Sequence, residues 1–133
     1  MTTGFRRSEL LSLTWRNLDL GKNKIYVQRK ECAARGSSSS MRIVPLPLKA
    51  KKLLRSFENK KVKVIPLTKG STRNGFDKAR KRAGLENLRF HDLRHIAISR
   101  MWSHGMNALE ISACSGHRDI KMLMRYSHYR LSF

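Results

Sequence analysis

Carboxylates are scarce in this 133-residue chain: Asp and Glu number 9 against 29 Lys and Arg, a formal net charge of +20. So basic a chain repels itself on compaction, and a polyanion is its natural partner. The basic residues are spread along the whole sequence rather than gathered on one amphipathic helix, which favours nucleic acid over a membrane surface. Cysteine is scarce too. Cys32 and Cys114 cannot build a disulfide framework and neither lies in a CxxC pair, so they read as two reduced thiols of a cytosolic protein. No apolar run approaches the roughly 18–20 residues that span a bilayer, which excludes a membrane-spanning helix. Residues 1–7 hold no apolar stretch of the signal-peptide type. There is no internal repeat, and the one low-complexity segment is the four serines at 37–40. The length suits one domain with one core.

Periodicity supplies the elements. Residues 6–13 predict a helix with Leu10, Leu11 and Leu13 on its apolar side, and Gly21-Lys22-Asn23 is a turn signal. The alternation in KIYVQ (24–28) and RIVPL (42–46) predicts two strands, joined by a long polar hairpin loop. A helix is expected over 48–57, and a short strand over 62–67 ended by Pro66. A very basic helix is expected over 72–83, stopped by Gly84. Residues 91–103 predict a helix burying Leu93, Ile96, Ala97 and Met101. Asn107 caps the next helix, which ends before Gly116, and Asp119 caps a last one running through Met124. The fold class is therefore α+β, mostly α: a helical domain with a small antiparallel sheet on one edge.

Single motifs are weak. In TGFRRSEL (3–10), Glu9 lies three residues after Arg6, where it can orient the guanidinium, but taken alone the pair reads first as an ordinary surface ion pair. In HDLRH (91–95), His91 and Arg94 share a helix face and can offer an imidazole and a guanidinium fork to one anion. His95, four residues after His91, raises a zinc reading. Against it, Asp92 stands where HExxH has Glu, and the basic surroundings repel a dication. In SGHRD (115–119), His117 sits in a tight turn before a helix, where a histidine is often only a turn residue. Tyr126 alone would pass for a core tyrosine, and its methionine neighbours for core filler.

Taken together they suit attack on a DNA phosphodiester. The phosphorane-like transition state carries extra negative charge, which fixed Arg and His donors stabilise without a metal. A tyrosine oxygen can hold the covalent intermediate, and the 5′ oxygen leaves only with a proton from a general acid, worth roughly 10²–10⁴-fold.

At this point the chain resembles the tyrosine recombinase (phage integrase) family. The resemblance rests on TGFRRSELLSLTW (3–15), RIVPL (42–46), HDLRH (91–95), SGH (115–117) and MLMRYSHY (122–129), in the family's order and at its spacing. Three residues separate His91 from Arg94, 23 separate Arg94 from His117 and nine separate His117 from Tyr126. The resemblance covers essentially the whole chain, 1–133, read as one catalytic domain without the N-terminal DNA-binding domain and the first helix or helices that relatives carry. It implies that Arg6 and Arg94 clamp the scissile phosphate and that His91 is a phosphate ligand and candidate proton acceptor for Tyr126. It further implies that His117 donates to a non-bridging oxygen and that Tyr126 forms a 3′-phosphotyrosine link. Glu9 matches the acidic position that buttresses the site. Tyr129 is a rival nucleophile, set at the wrong spacing of 12 from His117. The family's general-acid lysine sits in the strand hairpin, where Lys30 fits best and Lys22 and Lys24 less well. No cofactor and no metal are implied. The implied partners are double-stranded DNA and further copies of the chain on that DNA, as a dimer or tetramer, in the cytoplasm of a bacterial, archaeal or phage-infected cell.

Integration, excision, inversion and dimer resolution share this chemistry. A type IB topoisomerase-like relaxing enzyme, a non-catalytic DNA-binding remnant of an integrase and a structural RNA binder are the competing readings.

Overall fold

Glu9 shows how the chain folds locally: its Oε2 accepts the Arg6 backbone N–H at 2.8 Å, and the first helix, α1 (Arg7–Ser12), starts there. The structure is a computed structural model that describes residues 3–28, 41–57 and 62–130. A short 3-10 turn (Trp15–Asn17) leads into a three-stranded antiparallel sheet of β1 (Leu18–Asp19), β2 (Lys24–Gln28) and β3 (Met41–Pro45), in that spatial order. Ile25 pairs with Val44 and Val27 with Arg42. With side chains alternating across the strands, Ile25, Val27, Arg42 and Val44 point into the protein. Helices follow: α2 (Leu48–Ser56), α3 (Lys69–Arg82), α4 (Asp92–Ser103), α5 (Ala108–Ser115) and α6 (Lys121–Met124), then a 3-10 turn over Ser127–Arg130.

The caps explain the helix limits. Thr68 Oγ1 accepts the Ser71 N–H at 3.0 Å at the start of α3, one turn earlier than the sequence suggests. Asn107 and Glu110 cap each other's backbone N–H groups at the start of α5, as expected. Gly116 ends α5 in the left-handed region, at φ 73°. Asp119 accepts the Lys121 N–H at 2.8 Å, and α6 is a single turn.

Two expectations need correction. Residues 62–67 form no strand: Lys63 makes one isolated bridge to Thr14, through Trp15 N–H to Val62 and Val64 N–H to Leu13. Pro66 has no N–H with which to extend the pairing. On α4 the buried face carries Arg94, Ala97, Ile98, Met101 and Trp102, while Ile96 is 40% exposed. The stripe is rotated because a charged residue, Arg94, belongs to it, and counting apolar residues alone missed that.

The core joins the sheet to α4, α5 and α6 through Ile25, Val44, Ile98, Ile111 and Leu123, with Phe5 and Trp102 beside them. Ile98, Ile111 and Leu123 have no exposed surface, and truncating such a side chain to Ala costs about 2–5 kcal/mol. This core fixes the segment before α1, the start of α4 and the α5–α6 turn against one another. No helix among the described residues is long and apolar enough to cross a membrane.

Candidate active site

Arg94 is the centre of the arrangement. It is 4% exposed, and its Nη1 donates to the Gly4 carbonyl at 2.6 Å. Gly4 presents that carbonyl from a left-handed turn at φ 64°. Arg94 Nη2 lies 3.3 Å from Nδ1 and 3.2 Å from Nε2 of His117. Burial, and then the Arg6 charge, pull the Arg94 guanidinium down to about 10, so it keeps its proton near neutral pH.

The turn after α5 brings His117 to Arg94. Ser115 Oγ donates to the Ile111 carbonyl at 2.7 Å and sits 2.7 Å from His117 Nδ1. Its one proton goes to the carbonyl, which can only accept. The His117 proton therefore lies on Nδ1, and Nε2 keeps its lone pair. Burial first, then Arg94, Arg6, His95 and His91, push His117 down to about 4, so the ring is neutral in the free protein.

Arg6 reaches the same turn. Its Nη2 donates to the Gly116 carbonyl at 3.5 Å, and its Nη1 lies 3.5 Å from Glu9 Oε1. Glu9 is buried, and its main partner is Arg42: Nη1 to Oε1 at 2.8 Å and Nη2 to Oε2 at 3.1 Å, a two-pronged pair. Burial works against the Glu9 carboxylate. The Arg42 hydrogen bond, the Arg6 backbone N–H and the two guanidinium charges outweigh it and hold the carboxyl below its ordinary value. Gly116 packs directly on Arg42, where a Cβ would stand 2.8 Å from the Arg42 Cζ.

A cleft between the starts of α1, α3 and α4 is lined by Arg6, Arg7, Lys69, Phe90, His91 and Arg94. Its charge is overwhelmingly positive. Burial, then His95 and Arg94, lower the His91 imidazole below its ordinary value. Asp92 turns away from the cleft and accepts the Arg89 N–H at 2.7 Å. On the next turn of α4, His95 Nδ1 hydrogen-bonds the Tyr126 hydroxyl, and the two rings stack with centroids 5.7 Å apart. Tyr126 is half-buried against the core.

The sequence profile of the phage integrase family matches residues 1–131. The chain belongs to the phage integrase family, the tyrosine recombinases. It is 36% identical over 132 residues to the shufflon-specific DNA recombinase of Escherichia coli, covering 98% of this chain and 33% of that one. The catalytic domain of bacteriophage HP1 integrase superposes with a TM-score of 0.72 at 28% identity, over 96% of this chain and 69% of that one. XerH recombinase bound to its difH substrate matches in fold, with a TM-score of 0.72 at 21% identity, over 97% of this chain and 40% of that one. The chain thus spans about a third of the length of the curated recombinase it matches.

As a tyrosine recombinase domain, the fold brings together five of the seven residues singled out in the sequence: Arg6, Glu9, His91, Arg94 and His117. Tyr126 joins them through His95, whose ring meets His91 edge-on with centroids 4.9 Å apart. Lys30 lies outside the described residues, as does the side chain of Tyr129. Among the described residues no three His, Cys, Asp or Glu side chains are grouped to hold a metal ion. Three contributors escaped the sequence reading. Arg42 had a signal, since the alternation of β3 sets it on the same face as Val44 and Leu46. His95 was visible only as a weak metal ligand. Ser115 had no signal beyond lying two residues before His117.

Proposed function

We propose that this chain is the catalytic part of a site-specific DNA recombinase that cuts and rejoins one strand through Tyr126. The observation that carries the reading is the convergence of Arg6, Arg94 and His117, residues far apart in sequence, at one positively charged place. Arg6 and Arg94 bind the non-bridging oxygens of the scissile phosphate, with His91 on the cleft wall. His117 becomes a donor when the phosphate charge draws a proton onto Nε2. The Tyr126 oxygen gives its proton to a neighbouring imidazole of the His91–His95 pair, attacks phosphorus and forms the 3′-phosphotyrosine bond as the P–O5′ bond breaks. The leaving 5′ oxygen takes its proton from Lys30. Rejoining runs the same steps backwards. Glu9 and Arg42 hold Arg6 and the Gly116 turn in register without touching DNA.

Covalent trapping tests this. The chain is mixed, in EDTA, with nicked duplexes whose short 5′-hydroxyl product diffuses away, and run on a denaturing gel. The expected result is a protein–DNA band that Tyr126→Phe abolishes. Tight low-salt binding with no band, even with an upstream DNA-binding domain supplied, would overturn the reading and favour a binding remnant.

A further inference from the structure

Two histidines stand one turn apart at the start of α4, His91 as its N-cap residue and His95 in its first turn, and they face different things. His91 lines the cleft with Arg6 and Arg94. His95 meets the tyrosine: its Nδ1 bonds the Tyr126 hydroxyl, with the ring planes 23° apart. A proton acceptor must lie within hydrogen-bond reach of the proton it removes, and His95 meets that requirement in the free protein. His91 is turned edge-on to His95, at 85°, and lines the cleft beside Arg6 and Arg94 rather than meeting the tyrosine.

We propose that His95 is the general base of strand cleavage, accepting the Tyr126 proton, while His91 serves the phosphate. The proposal rests on the recombinase reading above. The Tyr126 O–H bond breaks and its proton passes to His95 Nδ1. The phenolate oxygen bonds phosphorus, and the 5′ oxygen leaves with the proton of the lysine acid. On rejoining, the 5′ hydroxyl attacks and gives up its proton to that amine. The departing phenolate recovers its own from the His95 imidazolium. His95 thus ends each cycle neutral, with its acceptor atom again on the tyrosine. Neither step needs a further reactant.

The test uses the whole chain and three readouts. In ¹⁵N-histidine spectra, Tyr126→Phe should move the His95 Nδ1 resonance, which reports the contact without any activity. In covalent trapping, His95→Ala should slow cleavage by about 10²–10⁴-fold, and added imidazole should restore part of it. The third readout uses a substrate with a 3′-phosphate ester of a good aryl leaving group, so the joining step needs the phosphate clamp and not the tyrosine. His95→Ala should join it within about threefold of the unsubstituted chain. Cleavage unchanged or faster in His95→Ala would overturn the proposal, the faster rate marking His95 as a restraint on Tyr126. Loss of aryl-ester joining in parallel with cleavage would also overturn it, showing that His95 only supports the fold. If the unsubstituted chain joins the aryl ester but forms no tyrosine adduct, with or without the upstream domain, the recombinase reading itself fails and takes this proposal with it.

Discussion

At the residue scale, the Arg42–Glu9 pair and Gly116 form one unit. Both charges are nearly buried, 5% and 8% exposed, so neither can be left alone. Removing one partner of a buried pair costs about 3–5 kcal/mol, because the other charge loses its main counter-charge in a poor solvent; without Arg42, Glu9 would keep only the Arg6 N–H and the longer Arg6 contact at 3.5 Å. Arg42→Ala should lose stability in that range in a urea titration, although Arg42 touches no expected DNA atom. Gly116→Ala meets two obstacles at once. The left-handed backbone costs a non-glycine residue about 1–3 kcal/mol, and the new Cβ must displace the Arg42 guanidinium. The loss should therefore be smaller in an Arg42→Ala background than in the unsubstituted chain, a coupling that a double-mutant cycle measures. Additive losses would show that the two residues are independent.

At the scale of elements, α3 stands apart: none of its residues is buried, and its last turn is Arg80, Lys81 and Arg82. It is held at one side by Phe76, which meets Phe90 edge-on with ring centroids 5.2 Å apart, and by Arg80, which pairs with Asp77 within the helix and donates from Nη1 to the Glu86 carbonyl beyond it. A helix so polar all round is best explained by a charged partner on its free side. Under the recombinase reading, Lys78→Ala and Arg82→Ala should each weaken DNA binding about equally across sequences. Each should also lower the slope of log affinity against log salt by about 0.9. An unchanged slope would place α3 away from the backbone of the DNA. Most other elements were legible because their signals are local: caps at Asn107 and Gly116, alternation in β2 and β3, the basic run of α3; β1, only two residues long, carries no alternation and was not foreseen. Residues 62–67 misled because an apolar run with one bridging residue carries the same local pattern as a strand. The rotated face of α4 misled because Arg94 finds its partners, Gly4 and His117, outside its own helix. Arg6, Arg94, His117 and Tyr126 were found through family wording. Their spacing fixes none of the contacts they make, and so Arg42 and Ser115 went unseen.

At the scale of the whole molecule, the burial of the site, and after it the site's positive charge, make stability depend on pH. His117 is lowered from its ordinary value of 6.5 to about 4. Between those values the unfolded chain binds a proton that the folded chain refuses, so stability falls as the pH drops from 6.5 to 4. His91 is lowered too and adds in the same direction. Below 4.5 the lowered Glu9 carboxyl contributes a further loss, since the unfolded state then takes up its proton first. The thermal midpoint should drop across this range, and His117→Gln should flatten the part between 6.5 and 4. Parallel curves for the two proteins would mean that His117 is charged in the folded state or titrates normally.

The Gly4 carbonyl held by Arg94, and the Tyr126 hydroxyl held by His95, tie the segment before α1 and the turn after α6 to one helix. During synthesis on the ribosome, a chain that has emerged only through α5 already carries the basic surface of α3 and both arginines. It lacks the nucleophile altogether. Under the recombinase reading, such unfinished products can cling to DNA but cannot break it. The capacity to cut arises only after the capacity to bind, with the arrival of a single turn of helix and the tyrosine behind it.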